Sequence, residues 1–183
     1  MTSRNRALIA AVIIGIYLGS VVLANWLTTH YGFVPVGFGE TATAGTFAAG
    51  GALVVRDLVQ DLVGRLGVLA LIVIAAGLSY LVADPFIARA SAAAFLVAEL
   101  LDMAVYTPLR KRGRFGGTWW RVAVLAGAVV GAIADTVVFL WVAFGRSAIW
   151  PALPGQLLGK LEVALILVAI GSASAVLRQS EHA

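Results

Sequence analysis

Glu99 and Asp102 stand in the stretch FLVAELLDMAVYTPLRKR, residues 95–112, which is otherwise almost as apolar as a lipid tail. Three residues apart, the two acids fall on one face of a helix, with Tyr106 one turn beyond Asp102. Carboxyl groups that close can share a proton, because the charge of the first opposes ionisation of the second. Asp135 is a third acid of this kind, following Gly127 and Gly131 at four-residue spacing in LAGAVVGAIADTVVFLWVAFG. A glycine face lets another helix approach closely, so Asp135 is expected to point into a bundle. Counting about 1.5 Å per residue from Arg121 puts it about 21 Å from the inner surface. Lys160 and Glu162 open the last apolar stretch, where the lysine can meet an acid or reach upward to water along its own stem. An ionisable group near a bilayer centre costs roughly 2.5 to 3.5 kcal/mol on insertion scales and is usually tied to function.

Composition supplies the medium. Of 183 residues, 61% are hydrophobic and 12% charged, against about 45 to 50% and about 25% in soluble domains. So little polar material cannot coat a soluble globule, and the chain reads as an all-α integral membrane protein with six transmembrane helices, one membrane domain over residues 1–183. Spans are expected at about residues 7–27, 41–63, 66–83, 86–109, 122–144 and 157–177. The second is the odd one, with only Thr41–Val55 free of charge and with Gly45, Gly50 and Gly51 inside it. Short or glycine-interrupted spans often mark the binding region of a transporter. Beyond it, Asp61 and Arg65 are spaced as an ordinary i,i+4 pair.

Charge orients these spans. With a cytoplasmic N-terminus, one side receives Arg4, Arg6, Arg56, Arg65, Arg110, Lys111, Arg112, Arg114, Arg121 and Arg178, and the other only Arg89, Arg146 and Lys160. That asymmetry places both N-terminus and C-terminus in the cytoplasm, with Trp26, Tyr31 and Trp150 at the outer interface and Trp119 and Trp120 at the inner one. The RKRGRFGG run is then a topology determinant and a lipid-headgroup contact rather than a nucleic-acid patch. The first apolar run is too long for a signal-peptide core and reads as a retained span. On it Ala7, Ala11, Gly15 and Gly19 recur every four residues, a flat stripe suited to the bundle itself, a second copy or a coupling subunit.

Several chemistries are excluded. The chain has no cysteine, and its histidines, His30 and His182, fall in a loop and at the C-terminus, so no metal or haem site is expected. Glu99 and Asp102 would suit paired acid and base work, but no G-x-S-x-G nucleophile motif accompanies them, and no enzyme is expected. No P-loop is present, so any drive from ATP must come from another chain.

LANWLTTHYGF, ATAGTFAAGGALVVRDLVQDLVGR, AELLDMAVYTPLRKR, GAIADTVVFLWVAFG and the lysine of LLGKLEVALILV resemble, in that order, the motifs of the VUT family, the queuosine precursor transporters. The likeness covers roughly residues 20–177. It implies a six-helix membrane fold related to the substrate-binding components of energy-coupling-factor vitamin transporters, in the bacterial cytoplasmic (inner) membrane, importing 7-cyano-7-deazaguanine or 7-aminomethyl-7-deazaguanine without a cofactor. Carried over by position, it implies substrate-binding roles for Asn25, Glu99, Asp102, Asp135 and Lys160, and a gate or coupling role for Asp57. The chain departs from many relatives in having Arg56 ahead of Asp57 and alanine at position 134. In the energy-coupling relatives a small-residue pattern on the first helix meets the coupling subunit, which makes such a dependent component the alternative reading.

The chemistry is compatible with that substrate. A deazaguanine presents its ring N–H and exocyclic amine side by side, and one carboxylate can accept both. Asp135 or Glu99 would take that edge, Lys160 and Asn25 would donate to the carbonyl, and Phe47, Phe139 or Trp141 would stack on the ring. On straight helices Asn25 and Lys160 lie outward and Asp102 well inward, which would leave Asp57 and Asp102 for a gate or a proton route.

Overall fold

The structure, a computed structural model, describes residues 3–180, with side chains placed except at residues 3, 6 and 173–180. The side chains of Arg6 and Arg178, and all of His182, therefore lie outside the described residues. The chain runs as α1 (Ser3–Tyr31), a hairpin of β1 (Phe33–Gly37) and β2 (Glu40–Thr43), α2 (Thr46–Val82), α3 (Pro85–Arg110), α4 (Thr118–Phe144) and α5 (Ile149–Ser180), with one 3-10 turn at Arg146–Ala148. All five helices are long and apolar enough to cross a membrane.

At 37 residues, α2 would be about 55 Å long if straight, nearly twice a bilayer core of about 30 Å. It breaks at Gly64, whose φ of 73° and ψ of 178° suit a residue without a Cβ. Its two ends show how far it bends. The Thr28 hydroxyl accepts from the Gly45 amide at 3.3 Å, just before the helix, and the Thr29 hydroxyl accepts from the Asp84 amide at 3.1 Å, just past it. Neighbouring residues of α1 cannot touch both ends of one long rod, so α2 doubles back at Gly64 into two antiparallel limbs. Ala52 and Val59 of one limb accordingly share a cluster with Val68, Ile72 and Ala75 of the other, together with Tyr17, Val21 and Phe95. The gap expected between residues 63 and 66 is this bend.

Local chemistry fixes the remaining ends. The Asp84 carboxylate accepts from the amides of Phe86 and Ile87, with Pro85 at the first helical position, a strong start for α3. The second span begins at Thr46 rather than at residue 41, because Thr41–Thr43 pair with Phe33–Pro35 as a strand. Gly37, Phe38 and Gly39, all at positive φ, make the reversal that lets these strands meet. The last helix begins at Ile149 rather than at residue 157; Pro151 falls in its first turn, where a missing amide hydrogen is no loss. Asp61 does not pair with Arg65, since the Gly64 break separates them, and instead bridges to Arg110 at 2.9 Å. Trp120 is buried against Val124 and Val168 instead of joining an interfacial belt, whereas Trp119 is exposed and carries Arg112 over its ring at 5.2 Å.

Glycines set how closely the helices approach. A Cβ at Gly50 would lie 2.8 Å from the backbone of Lys160, while one at Gly51 would make an ordinary 3.8 Å contact with Val163. Gly50→Ala should therefore lower the apparent melting point of detergent-solubilised protein, by the equivalent of about 1 to 3 kcal/mol for overpacking against rigid backbone. Gly51→Ala should leave it unchanged or raise it, through helix propensity of up to about 1 kcal/mol.

Candidate functional site

The buried polar side chains form two groups at different depths. Near the β-hairpin, Asn25 and Thr28 of α1, Thr43 of β2, Thr46 of α2, Ser91 and Phe95 of α3, Asp135 and Phe139 of α4, and Gln156 and Lys160 of α5 line one cavity. Its free volume is about 30 Å³, room for about two water molecules. Nearer the Gly64 bend, Arg56 and Asp57 of α2 meet Glu99 and Asp102 of α3, all at 1% exposure or less. Lys160 packs on Gly50 and Arg56 lies six residues further along that limb, so the groups are about 9 Å apart along the helix.

In the cavity, the Lys160 ammonium donates to Asp135 Oδ2 at 2.6 Å and to the Thr136 hydroxyl at 2.7 Å. The lysine is only 2% exposed, so it turns inward to its acid instead of reaching for water. Asn25 donates from Nδ2 to the Ser79 hydroxyl at 2.9 Å, which ties α1 to the second limb of α2. Gln156, Thr43 and Thr46 close a ring: Gln156 Nε2 donates to Thr43 at 2.9 Å, Thr46 donates to Gln156 Oε1 at 2.9 Å, and the two hydroxyls lie 3.2 Å apart. That ring pins the hairpin onto α5, where Gly155 lies directly against the Thr41 backbone.

In the deeper group Arg56 is the hub. Its Nε donates to Glu99 Oε2 and its Nη2 to the Glu99 carbonyl at 3.1 Å, while Nη1 donates to Asp57 Oδ1 at 2.8 Å and lies 3.0 Å from Asp102 Oδ2. The sequence placed this arginine on the cytoplasmic surface; its exposure is 0%. Asp102 could be imagined pairing with the Arg110–Arg114 cluster, but it faces Arg56 and packs on Gly127, where a Cβ would collide with its carboxylate.

The expected site residues thus separate. Asn25, Asp135 and Lys160 share the cavity; Asp57, Glu99 and Asp102 share the Arg56 cluster. Of the aromatic residues expected to stack, Phe139 lines the cavity, while Phe47 at 39% and Trp141 at 60% exposure do not. Ala134 lies away from the cavity in an apolar groove between α3 and α4. Sequence reading missed Gln156, Thr43, Thr46 and Phe95. Gln156 was legible in principle, one helical turn before Lys160 on the same face, but it fell outside the span expected for that helix.

Residues 80–173, just over half of the chain, match the family described as "Putative vitamin uptake transporter". That region holds α3, α4 and most of α5, with Glu99, Asp102, Asp135 and Lys160. The chain is also 45% identical over 62 residues to a protein of Haemophilus influenzae named "Probable queuosine precursor transporter". That match spans 34% of this chain and about a quarter, 24%, of the relative. No solved structure matches the chain.

Removing one partner of a buried ion pair strands the other charge, at a cost of about 3 to 5 kcal/mol, whereas removing both costs much less. Lys160→Met should therefore lower the thermal stability of the purified protein more than the double replacement Lys160→Met with Asp135→Asn. A double variant at least as unstable as the single one would show that the 2.6 Å contact carries no coupling.

Proposed function

Since this chain belongs to the vitamin uptake transporter family, multi-pass proteins of the bacterial cytoplasmic membrane, we propose that it imports a queuosine precursor, 7-cyano-7-deazaguanine or 7-aminomethyl-7-deazaguanine. The observation that carries this reading is the cavity itself: an acid, an ammonium, two carboxamides and three hydroxyl-bearing threonines converge there on a narrow space between Phe95 and Phe139. Asp135 accepts the paired N–H donors of the guanine-like edge, Lys160 and Asn25 donate to its carbonyl, and a phenyl ring covers its face. At about 30 Å³ the cavity has room for about two waters and is too small for a bicyclic base. A bicyclic base enters when the hairpin and α5 part, which opens the ring of Gln156, Thr43 and Thr46. In this reading the protein acts as a carrier, releasing the base unchanged.

In this reading the doubled α2 contributes two crossings and the chain makes six, with both termini cytoplasmic. The Gly64 bend, the Asp61–Arg110 bridge and the 111–117 loop then share the inner face. Because the chain lacks cysteine, single cysteines can report the sides: one at Arg114 should react with an impermeant maleimide only in inside-out vesicles, one at Phe38 only in right-side-out cells. Reaction of both from the same side would overturn the six-crossing arrangement.

A second reading has its own support. Ala7, Ala11, Gly15 and Gly19 are all exposed, and added Cβ atoms at Gly15 and Gly19 would meet nothing within 4 Å. The stripe therefore looks away from the bundle, as a contact for a coupling subunit or a second copy would. In liposomes holding this protein alone, labelled 7-cyano-7-deazaguanine should accumulate, and Asp135→Asn should lower its uptake at least tenfold. Uptake that requires added subunits would favour the dependent component, and full uptake by Asp135→Asn would remove the assignment of that acid.

A further inference from the structure

The Arg56 cluster is not used by substrate recognition, and its charges do not balance. One guanidinium faces three carboxyl groups, those of Asp57, Glu99 and Asp102, in an environment with no more than 1% exposure at any of the four residues. Among the described residues the only other buried cation, Lys160, belongs to the cavity and is already committed to Asp135. Fully ionised, the cluster would hold two uncompensated negative charges away from water, an arrangement that buried carboxylates escape by taking up protons.

The contacts point the same way. Asp102 Oδ1 and Glu99 Oε1 meet no donor, and Asp102 Oδ2 has only the ion-pair contact with Arg56 Nη1 at 3.0 Å, although an ionised carboxylate calls for donors at all of its oxygens. Arg56 Nη1 is shared between Asp57 Oδ1 at 2.8 Å and Asp102 Oδ2 at 3.0 Å, which brings the two carboxyl groups so close that ionising one opposes ionising the other. The Tyr17 hydroxyl from α1, wholly buried and with no bonded partner, faces Glu99 and Arg56. The surrounding groups are Tyr17 on α1, Arg56 and Asp57 on α2, Glu99, Asp102 and Tyr106 on α3, Asp135 on α4 and Lys160 on α5. Among the described residues no set of acids and histidines is arranged to hold a metal ion.

We propose that the Arg56 cluster is a proton-binding site and that import through the cavity is coupled to proton entry, a proposal that rests on the transport reading above. Glu99 is the link between the two groups. Phe95, one turn away on the same helix face, lines the cavity. With its protons the cluster is close to neutral and can be repacked as the bundle opens; stripped of them it carries charge that the low-dielectric interior resists. A proton bound from the outer, acidic side and released to the inner, alkaline side leaves the cluster unchanged after each cycle.

The first test needs no substrate. Infrared spectra of the full-length protein in lipid nanodiscs at pH 7 should contain a protonated-carboxyl carbonyl band that shifts in heavy water and weakens in both Asp102→Asn and Glu99→Gln. No such band in folded wild-type protein, or a band untouched by both replacements, would overturn the proposal. In the second test, an inside-alkaline pH gradient across liposomes should speed uptake of 7-cyano-7-deazaguanine at least fivefold, and Asp102→Asn should abolish that acceleration. Uptake indifferent to the pH gradient, or driven only by a sodium gradient, would overturn the coupling. The band present with the deazaguanine ignored would support the proton site while rejecting the substrate proposed above.

Discussion

A guanidinium removed from water must be met by oxygen atoms around its whole edge, and Arg56 makes that demand in the middle of this bundle. Glu99 answers it with both a side-chain and a main-chain oxygen, and Asp57 and Asp102 approach the remaining nitrogen. Meeting the demand fixes the first limb of α2 against α3 at one rotation and one depth. The seam between α3 and α4 follows, since Asp102 can stand where it does only because position 127 has no side chain. Buried charge of this kind is weak evidence for stability. It is stronger evidence for specificity of arrangement, because shifting either helix by a turn would strand a charge.

The fold was largely legible, and the reasons are physical. Long apolar stretches reveal crossings because a bilayer leaves backbone groups no partner but their own helix. The division near residues 63 to 66 was visible from hydropathy and charge, although the device that makes it, one glycine at positive φ, has no signature distinct from many other glycines. The β-hairpin was not legible, because V-P-V is too short to stand out between two spans and T-A-T was absorbed into the start of the second. Asp61 and Arg65 illustrate the same limit: i,i+4 spacing has meaning only on an unbroken helix, and Gly64 breaks this one.

The site was legible in its membership more than in its partners. Buried acids stand out in an apolar sequence, so Glu99, Asp102 and Asp135 could be singled out by cost alone, whereas Asp57 entered only through the family resemblance. Which cation meets which acid depends on helix rotation and depth, and sequence spacing does not carry that. Lys160 could equally have reached for water, and Arg56 was read as a surface charge because it ends an apolar stretch. The straight-helix count separates Asn25 and Lys160 from Asp102 along the bundle, and the former do lie toward the hairpin and the latter toward the Gly64 bend. The uncharged ring of Gln156, Thr43 and Thr46 was invisible because its members come from three elements, one of them the unforeseen strand.

Two glycines on different elements restrict how α5 can move. Gly50 of α2 receives the backbone of Lys160, and Gly155 of α5 receives the backbone of Thr41. Sliding α5 along its own axis by a single residue, about 1.5 Å, would carry side-chain atoms into slots that hold none. Tilting α5 about the Lys160 contact instead lifts Gly155 away from the Thr41 backbone and forces no atom into either slot. Rearrangement of this helix is therefore a hinge rather than a shear, with its pivot at the lysine and its free arm toward the hairpin.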